Sequence, residues 1–176
     1  MNTAYDRNGH QMPPTPKKIC IGIDPGYAIT GIGIIEKIGN KLTPLFYDAI
    51  TTPKDMPFSK RVHHVYTELC KILTHYQPNE MAIEELFFSK NTKTALLVAQ
   101  ARGSLLIAAE EHGIPCYHYK PVEVKTAVSG YGRADKNQVQ QMTKTLLKLR
   151  SIPKPDDVAD ALAVAICHCQ SFRIHS

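Results

Sequence analysis

Apolar residues alternate with polar ones up to Thr51, and from residue 58 onward they recur at helical spacing, a change of period that limits the folds open to this chain. Residues 18–24 are β-branched and alternating, and they stop at Pro25-Gly26, a turn pair. Residues 30–37 and 42–51 read as two further strands, and Gly39-Asn40 between them suits a hairpin. The first three strands therefore form an antiparallel meander. Residues 58–77 then place Val62, Val65, Tyr66, Leu69, Ile72, Leu73 and Tyr76 on one helical face. The order continues with a short strand at 80–87, a helix at 91–112 ended by Gly113, and a strand at 114–119. Helices follow at 121–128, 135–149 and 156–170, with Val139, Met142, Leu146 and Leu147 of the second facing inward. Antiparallel strands followed by strands alternating with helices specify an α/β fold with a mixed sheet.

One domain is expected at 17–172, because 43% hydrophobic and 21% charged residues are proportions that form a packed core. Residues 1–16 are polar and carry Pro13, Pro14 and Pro16, so they read as a disordered N-terminal extension, with 173–176 as a short tail. No apolar run is long enough to cross a membrane. The net charge of +5 tilts the partner toward an anion. Five cysteines in no framework spacing point to reduced thiols in a cytoplasmic protein. Cys167-His168-Cys169 is not a zinc motif by itself, since consecutive helical side chains diverge by about 100°. It reads as small core residues beside a surface histidine.

The helix at 91–112 is apolar around nearly its whole circumference, through Leu96, Leu97, Val98, Leu105, Leu106, Ile107 and several alanines. Such a helix is covered on two sides. One face covers the sheet; the other meets either another helix of the chain or a second subunit in a two-fold homodimer. Gly103 at its middle permits close backbone approach.

Four acids define the candidate site. Asp24, Glu84 and Asp157 sit at the edges of apolar runs, where an uncompensated charge is costly. Asp160 lies one helical turn after Asp157, so the two share a face about 5–6 Å apart. Capping explains Asp156 and Asp157 after Pro155, but it does not explain Asp160. Asp24 alone reads as a turn residue and Glu84 alone as an edge-strand charge. Together they read as a site for hard divalent cations bound through oxygen. Two Mg²⁺ ions about 3.5–4 Å apart supply what phosphodiester cleavage needs: an activated water, neutralised phosphorus oxygens and a stabilised leaving oxygen.

The chain resembles the RuvC-type Holliday junction resolvases, the crossover junction endodeoxyribonucleases, over about residues 18–168. The resemblance rests on Gly-Ile-Asp-Pro-Gly at 22–26, Ala-Ile-Glu-Glu-Leu-Phe-Phe at 82–88 and Gln-Ala-Arg-Gly at 100–103. Gly-Tyr-Gly-Arg-Ala-Asp-Lys at 130–136 and Asp-Asp-Val-Ala-Asp-Ala-Leu-Ala at 156–163 complete it. It implies a ribonuclease H-like mixed five-stranded sheet, three antiparallel strands then two parallel, flanked by helices. It also implies that Asp24, Glu84, Asp157 and Asp160 are the catalytic, metal-binding carboxylates. The metal would be Mg²⁺, two ions per subunit, with Mn²⁺ as a substitute. The family acts on four-way junction DNA as a homodimer that nicks two opposed strands, in association with the RuvA–RuvB branch-migration complex. Asp156 beside Asp157 leaves the register of the third ligand open, and His168 lies too far along the helix to replace Asp160.

Lys125, Arg133 and Lys136 flank the loop at 130–132, and cations there suit phosphate contact. Lys125 and Lys136 are placed on the DNA backbone by resemblance. Lys144 and Lys148 read as a solvated face. Phe87 and Phe88 are core by pattern; the resemblance makes Phe87 a wedge between junction bases, beside Lys90, Asn91 and Lys93. Tyr131 is a candidate for stacking on a base. Two other readings compete: an ATPase of the actin and Hsp70 type, which also opens on Gly-x-Asp-x-Gly, and a ribonuclease H-like nuclease that processes RNA. The former lacks a second Asp-x-Gly-Gly-Gly loop and a repeated domain.

Overall fold

A computed structural model describes residues 16–86 and 92–171. Its strands are β1 (Lys17–Asp24), β2 (Ile29–Ile38), β3 (Lys41–Thr51), β4 (Glu80–Glu84) and β5 (Cys116–Tyr119). Its helices are α1 (Phe58–Tyr76), α2 (Thr92–Glu111), α3 (Pro121–Ser129), α4 (Lys136–Leu146) and α5 (Asp156–Gln170). The five strands form one sheet in the order β3-β2-β1-β4-β5. Pairing is antiparallel for β1–β2 and β2–β3, and parallel for β1–β4 and β4–β5. The meander and the mixed sheet are as expected. Gly39, at φ 58°, supplies the left-handed residue of the hairpin.

Strand alternation divides the core. Ile21, Ile23, Ile32, Ile34, Met81 and Ile83 point to one face, where they pack with Val65, Leu69 and Leu73 of α1 and Leu105 and Ala108 of α2. Cys20, Ile35 and Ala82 point to the other, under α5 and beside α3 and α4. Each fully buried Ile contributes roughly 1.5–3 kcal/mol of burial free energy.

α5 is the most enclosed helix, with eleven of its fifteen residues buried. Glycines on the strands let it lie directly on the sheet. A Cβ at Gly22 would run into the backbone of Ala161 and Ala165, and one at Gly31 into the carbonyl of Asp157. At Gly33 it would come 2.7 Å from Leu162. Gly22 and Gly33 are cross-strand partners, so β1 and β2 together form a shallow seat for the helix.

Several expectations change. His168, expected at the surface, is 4% exposed: at the end of α5 it faces β4 and β5, where Glu80, Tyr117 and Tyr119 enclose it. Met142, expected inward, is 37% exposed, because α4 ends at Leu146 and buries Val139, Gln140 and Thr143 instead. β4 ends at Glu84 rather than Phe87, and β5 begins at Cys116 rather than residue 114. Among the described residues, burial on both sides of α2 is not met. Ala101, Leu105 and Ala108 are covered, whereas Leu96 and Ile107 are 55% and 56% exposed and a Cβ at Gly103 would meet nothing within 4 Å.

Candidate active site

β1 and β4 run parallel, with Gly22 beside Ala82 and Ile23 beside Ile83. Asp24 and Glu84 follow at the same end, and alternation puts both on the α5 face with Gly22 and Ala82. β2 contributes Gly31, the partner of Asp24, and the Asp157 carbonyl rests on that glycine. The first turns of α5 thus stand over the end of β1, and Asp160 projects one turn in. Thr30 Oγ1 donates to the Gly26 carbonyl (2.5 Å) and Thr52 Oγ1 to the Tyr27 carbonyl (2.7 Å), which fixes the turn after Asp24.

Electrostatics shows which carboxylates share the site. Burial, with the charges of Glu84, Asp160 and Asp157 added, pushes the Asp24 carboxyl up to about 8. Burial and Asp160 raise Glu84 as well, against the opposing pull of Lys125. Asp160 is raised mainly by burial, and Lys136 works against this. The four acids therefore lie within electrostatic reach of one another, but not tightly packed. Among the described residues, no three of them bring ligand oxygens all within 4.8 Å of one another.

Glu84 and Asp160 also line a cavity of about 190 Å³ that Lys125 and Lys136 share, over an apolar floor of Val124 and Val139. Lys136, expected on DNA phosphates, here pairs with Asp156 (3.2 Å) and Asp160 (3.3 Å). Burial favours its neutral amine, but Asp160 and Asp156 prevail and raise its pKa. Asp156 is tied outward to Lys154 (2.6 Å), and its lysine hydrogen bonds hold it at about 2. It is the pairing partner of two lysines rather than an equal of Asp160. Arg133 and Tyr131 are exposed on the 130–134 loop. Phe87, Phe88, Lys90 and Asn91 lie outside the described residues.

Arg102 had no assigned role in the sequence reading. From α2 its Nε donates to the Glu84 carbonyl (3.4 Å) and its Nη2 lies 2.5 Å from His118 Nδ1, so it braces the end of β4. Its place in Gln-Ala-Arg-Gly was the available signal: a cation within an otherwise apolar helix requires a partner.

Fold and site together define a ribonuclease H-like α/β protein whose sheet end carries a carboxylate cluster suited to phosphate-ester chemistry. A family model described as crossover junction endodeoxyribonuclease RuvC matches residues 20–168. The chain belongs to that RuvC family. A relative from Desulforamulus reducens, named crossover junction endodeoxyribonuclease RuvC, is 56% identical over 152 residues, 86% of this chain and 93% of its own length. The structure of T. thermophilus RuvC in complex with Holliday junction substrate superimposes with a TM-score of 0.81 at 36% identity, covering 86% of this chain and 92% of that one. The yeast mitochondrial Holliday junction resolvase shares the fold, with a TM-score of 0.62 at 14% identity over 89% of this chain and 81% of that one.

Proposed function

We propose that this chain is a structure-selective endonuclease that resolves four-way DNA junctions in recombination and repair, by hydrolysis giving symmetric nicks in opposed strands. The observation that carries the reading is the half-buried gathering of Asp24, Glu84, Asp157 and Asp160 at one sheet end. Keeping four carboxylates there opposes both folding and DNA binding unless cations neutralise them. Their all-oxygen donor set fits Mg²⁺, or Mn²⁺ in its place, and two ions per subunit match the number of carboxylates. Bound there, the cations supply charge neutralisation at the phosphate and an acidified water.

The chain's own groups do the rest. Asp24 and Glu84, on adjacent strands, and Asp157 and Asp160, on α5, set the positions of the bound cations. Lys125 reaches the cleft beside Glu84 and holds a substrate phosphate. Lys136 releases Asp160 and takes a backbone phosphate in exchange, while Arg133 and the 130–134 loop meet the duplex arm. Phe87, as a wedge between junction bases, and Lys90 complete the DNA contacts that the family resemblance implies.

The exposed apolar stripe of α2, formed by Leu96, Gly103 and Ile107, supports a homodimer, which two opposed nicks also require. We further assign the enzyme to the cytoplasm, in association with the RuvA–RuvB complex. Among the described residues, no helix is long and apolar enough to cross a membrane.

The test is cleavage of a synthetic four-way junction beside a linear duplex of the same sequence, with and without Mg²⁺. Paired nicks in the junction alone, and only with the cation, are expected. Equal cutting of both substrates, or cutting in chelator, would refute the proposal.

A further inference from the structure

A second set of potential ligands lies at the opposite end of α5. Ligand atoms of Cys20 on β1, Glu80 on β4 and His168 on α5 all lie within 4.8 Å of one another, and all three residues are buried. They assemble by the same geometry as the carboxylate site. Cys20 and Glu80 are partners in the parallel β1–β4 register, on the face that α5 covers. His168 is two helical turns past Asp160, about 12 Å along the axis, so the two clusters are separate.

We propose that Cys20, Glu80 and His168 bind a borderline-soft divalent cation of the Zn²⁺ class, with Cys169 completing the shell. The donor set selects the ion. A thiolate, an imidazole and a carboxylate suit Zn²⁺ and its transition-metal neighbours, whereas Mg²⁺ prefers oxygen alone. The imidazole is already oriented for ligation. Its Nε2 faces Glu80 at 2.5 Å, and its Nδ1 lies 2.9 Å from the Tyr119 hydroxyl. An outer partner on the second ring nitrogen is what fixes a ligating histidine in place. Cys169, next to His168 on α5 and 3% exposed, belongs to the same buried core cluster as Cys20 and offers a second sulfur.

The proton balance is simple. A cysteine ligates a metal as the thiolate, so ion binding expels the Cys20 proton to solvent. Ligation through Nε2 leaves the ring proton on Nδ1, which donates it to the Tyr119 oxygen. Lys18, 2.5 Å from Glu80 with a side chain 37% exposed, swings outward and frees a carboxylate oxygen. The competing description is a hydrogen-bonded network of Tyr119, His168, Glu80 and Lys18 with no affinity for metal.

The inference stands apart from the proposed nuclease function and is tested without it. The full chain, stripped with chelator, is titrated with Co²⁺ and then Zn²⁺. One equivalent of Co²⁺ should give thiolate-to-cobalt charge-transfer absorption in the near ultraviolet, which Zn²⁺ displaces and excess Mg²⁺ does not. The near-isosteric Cys20→Ser should abolish the band, Cys169→Ser should weaken it, and Asp160→Asn should leave it intact. In the unaltered chain, Zn²⁺ at about a hundredfold excess over its Kd should raise Tm by about 5–10 °C. No charge-transfer band, a band that survives Cys20→Ser, or a band lost in Asp160→Asn each overturns the proposal. Histidine pairs such as His63-His64 bind Co²⁺ without a thiolate band, so they do not mimic it.

Discussion

Replacing Asp24 by Asn should stabilise the metal-free protein while it abolishes cleavage. A carboxyl whose folded pKa exceeds its unfolded value binds its proton more tightly in the native state. Folding stability then falls as pH rises from the unfolded value, 3.8, to the folded one, about 8. Each pH unit in that window costs about 1.4 kcal/mol, so reaching pH 7 costs about 4 kcal/mol at most. Water in the open cleft and side-chain relaxation reduce this, and about 2 kcal/mol is the expected gain for Asp24→Asn at pH 7. Near pH 4 the native carboxyl is neutral, like an amide, and the advantage should vanish. Urea denaturation of both proteins in chelator, at pH 4.5 and pH 7.5, measures the difference. Mg²⁺ should narrow it at pH 7.5, because the cation binds only the native wild-type site. A variant no more stable than wild type at pH 7.5, or equally ahead at pH 4.5, would show that buried like charge is not what strains this site.

Glu84→Gln and Asp160→Asn should reduce junction cleavage by at least about a thousandfold, yet bind the junction as tightly as wild type or tighter, in gel-shift assays with Ca²⁺. Lys125→Ala and Lys136→Ala should each lower the salt slope of junction binding by about one, and an unchanged slope would remove that lysine from the DNA contacts. Gly31→Ala forces the first turn of α5 off the sheet, so it should cost about 1–3 kcal/mol in stability and more than tenfold in cleavage rate. Ile107→Asp, on the uncovered face of α2, should give monomers in analytical ultracentrifugation with an unchanged circular dichroism spectrum.

Much of this was legible in the sequence because local period determines it. Strand alternation at 18–24 and the turn pair Pro25-Gly26 set the end of β1 at Asp24, as observed. The spacing of Asp157 and Asp160 put them on one side of α5. What local pattern does not contain is which strand a helix end will meet. His168 looked exposed because the partners that bury it, Glu80 and Tyr119, lie 88 and 49 residues away. The pairing of Lys136 with Asp160 escaped for the same reason: α4 and α5 meet only after the intervening loop returns. Arg61, buried under Tyr27 and bonded to the Pro53 carbonyl (2.9 Å), broke the rule that charge stays outside, and only tertiary structure supplies its reason. The apolar circumference of α2 implied cover on two sides; among the described residues Ala101, Leu105 and Ala108 are covered while Leu96 and Ile107 are exposed.

The glycine seat beneath α5 has a kinetic consequence. At Gly22 and Gly31 the helix main chain rests on strand main chain, so at these points no strand side chain can change rotamer and let it roll or slip. Its two aspartates are thus aimed before any cation arrives. Ion capture should then be limited by the shedding of hydration water rather than by rearrangement of the polypeptide. Enlarging a single seat residue would turn a rapid, single-phase association into one gated by slow motion of the helix.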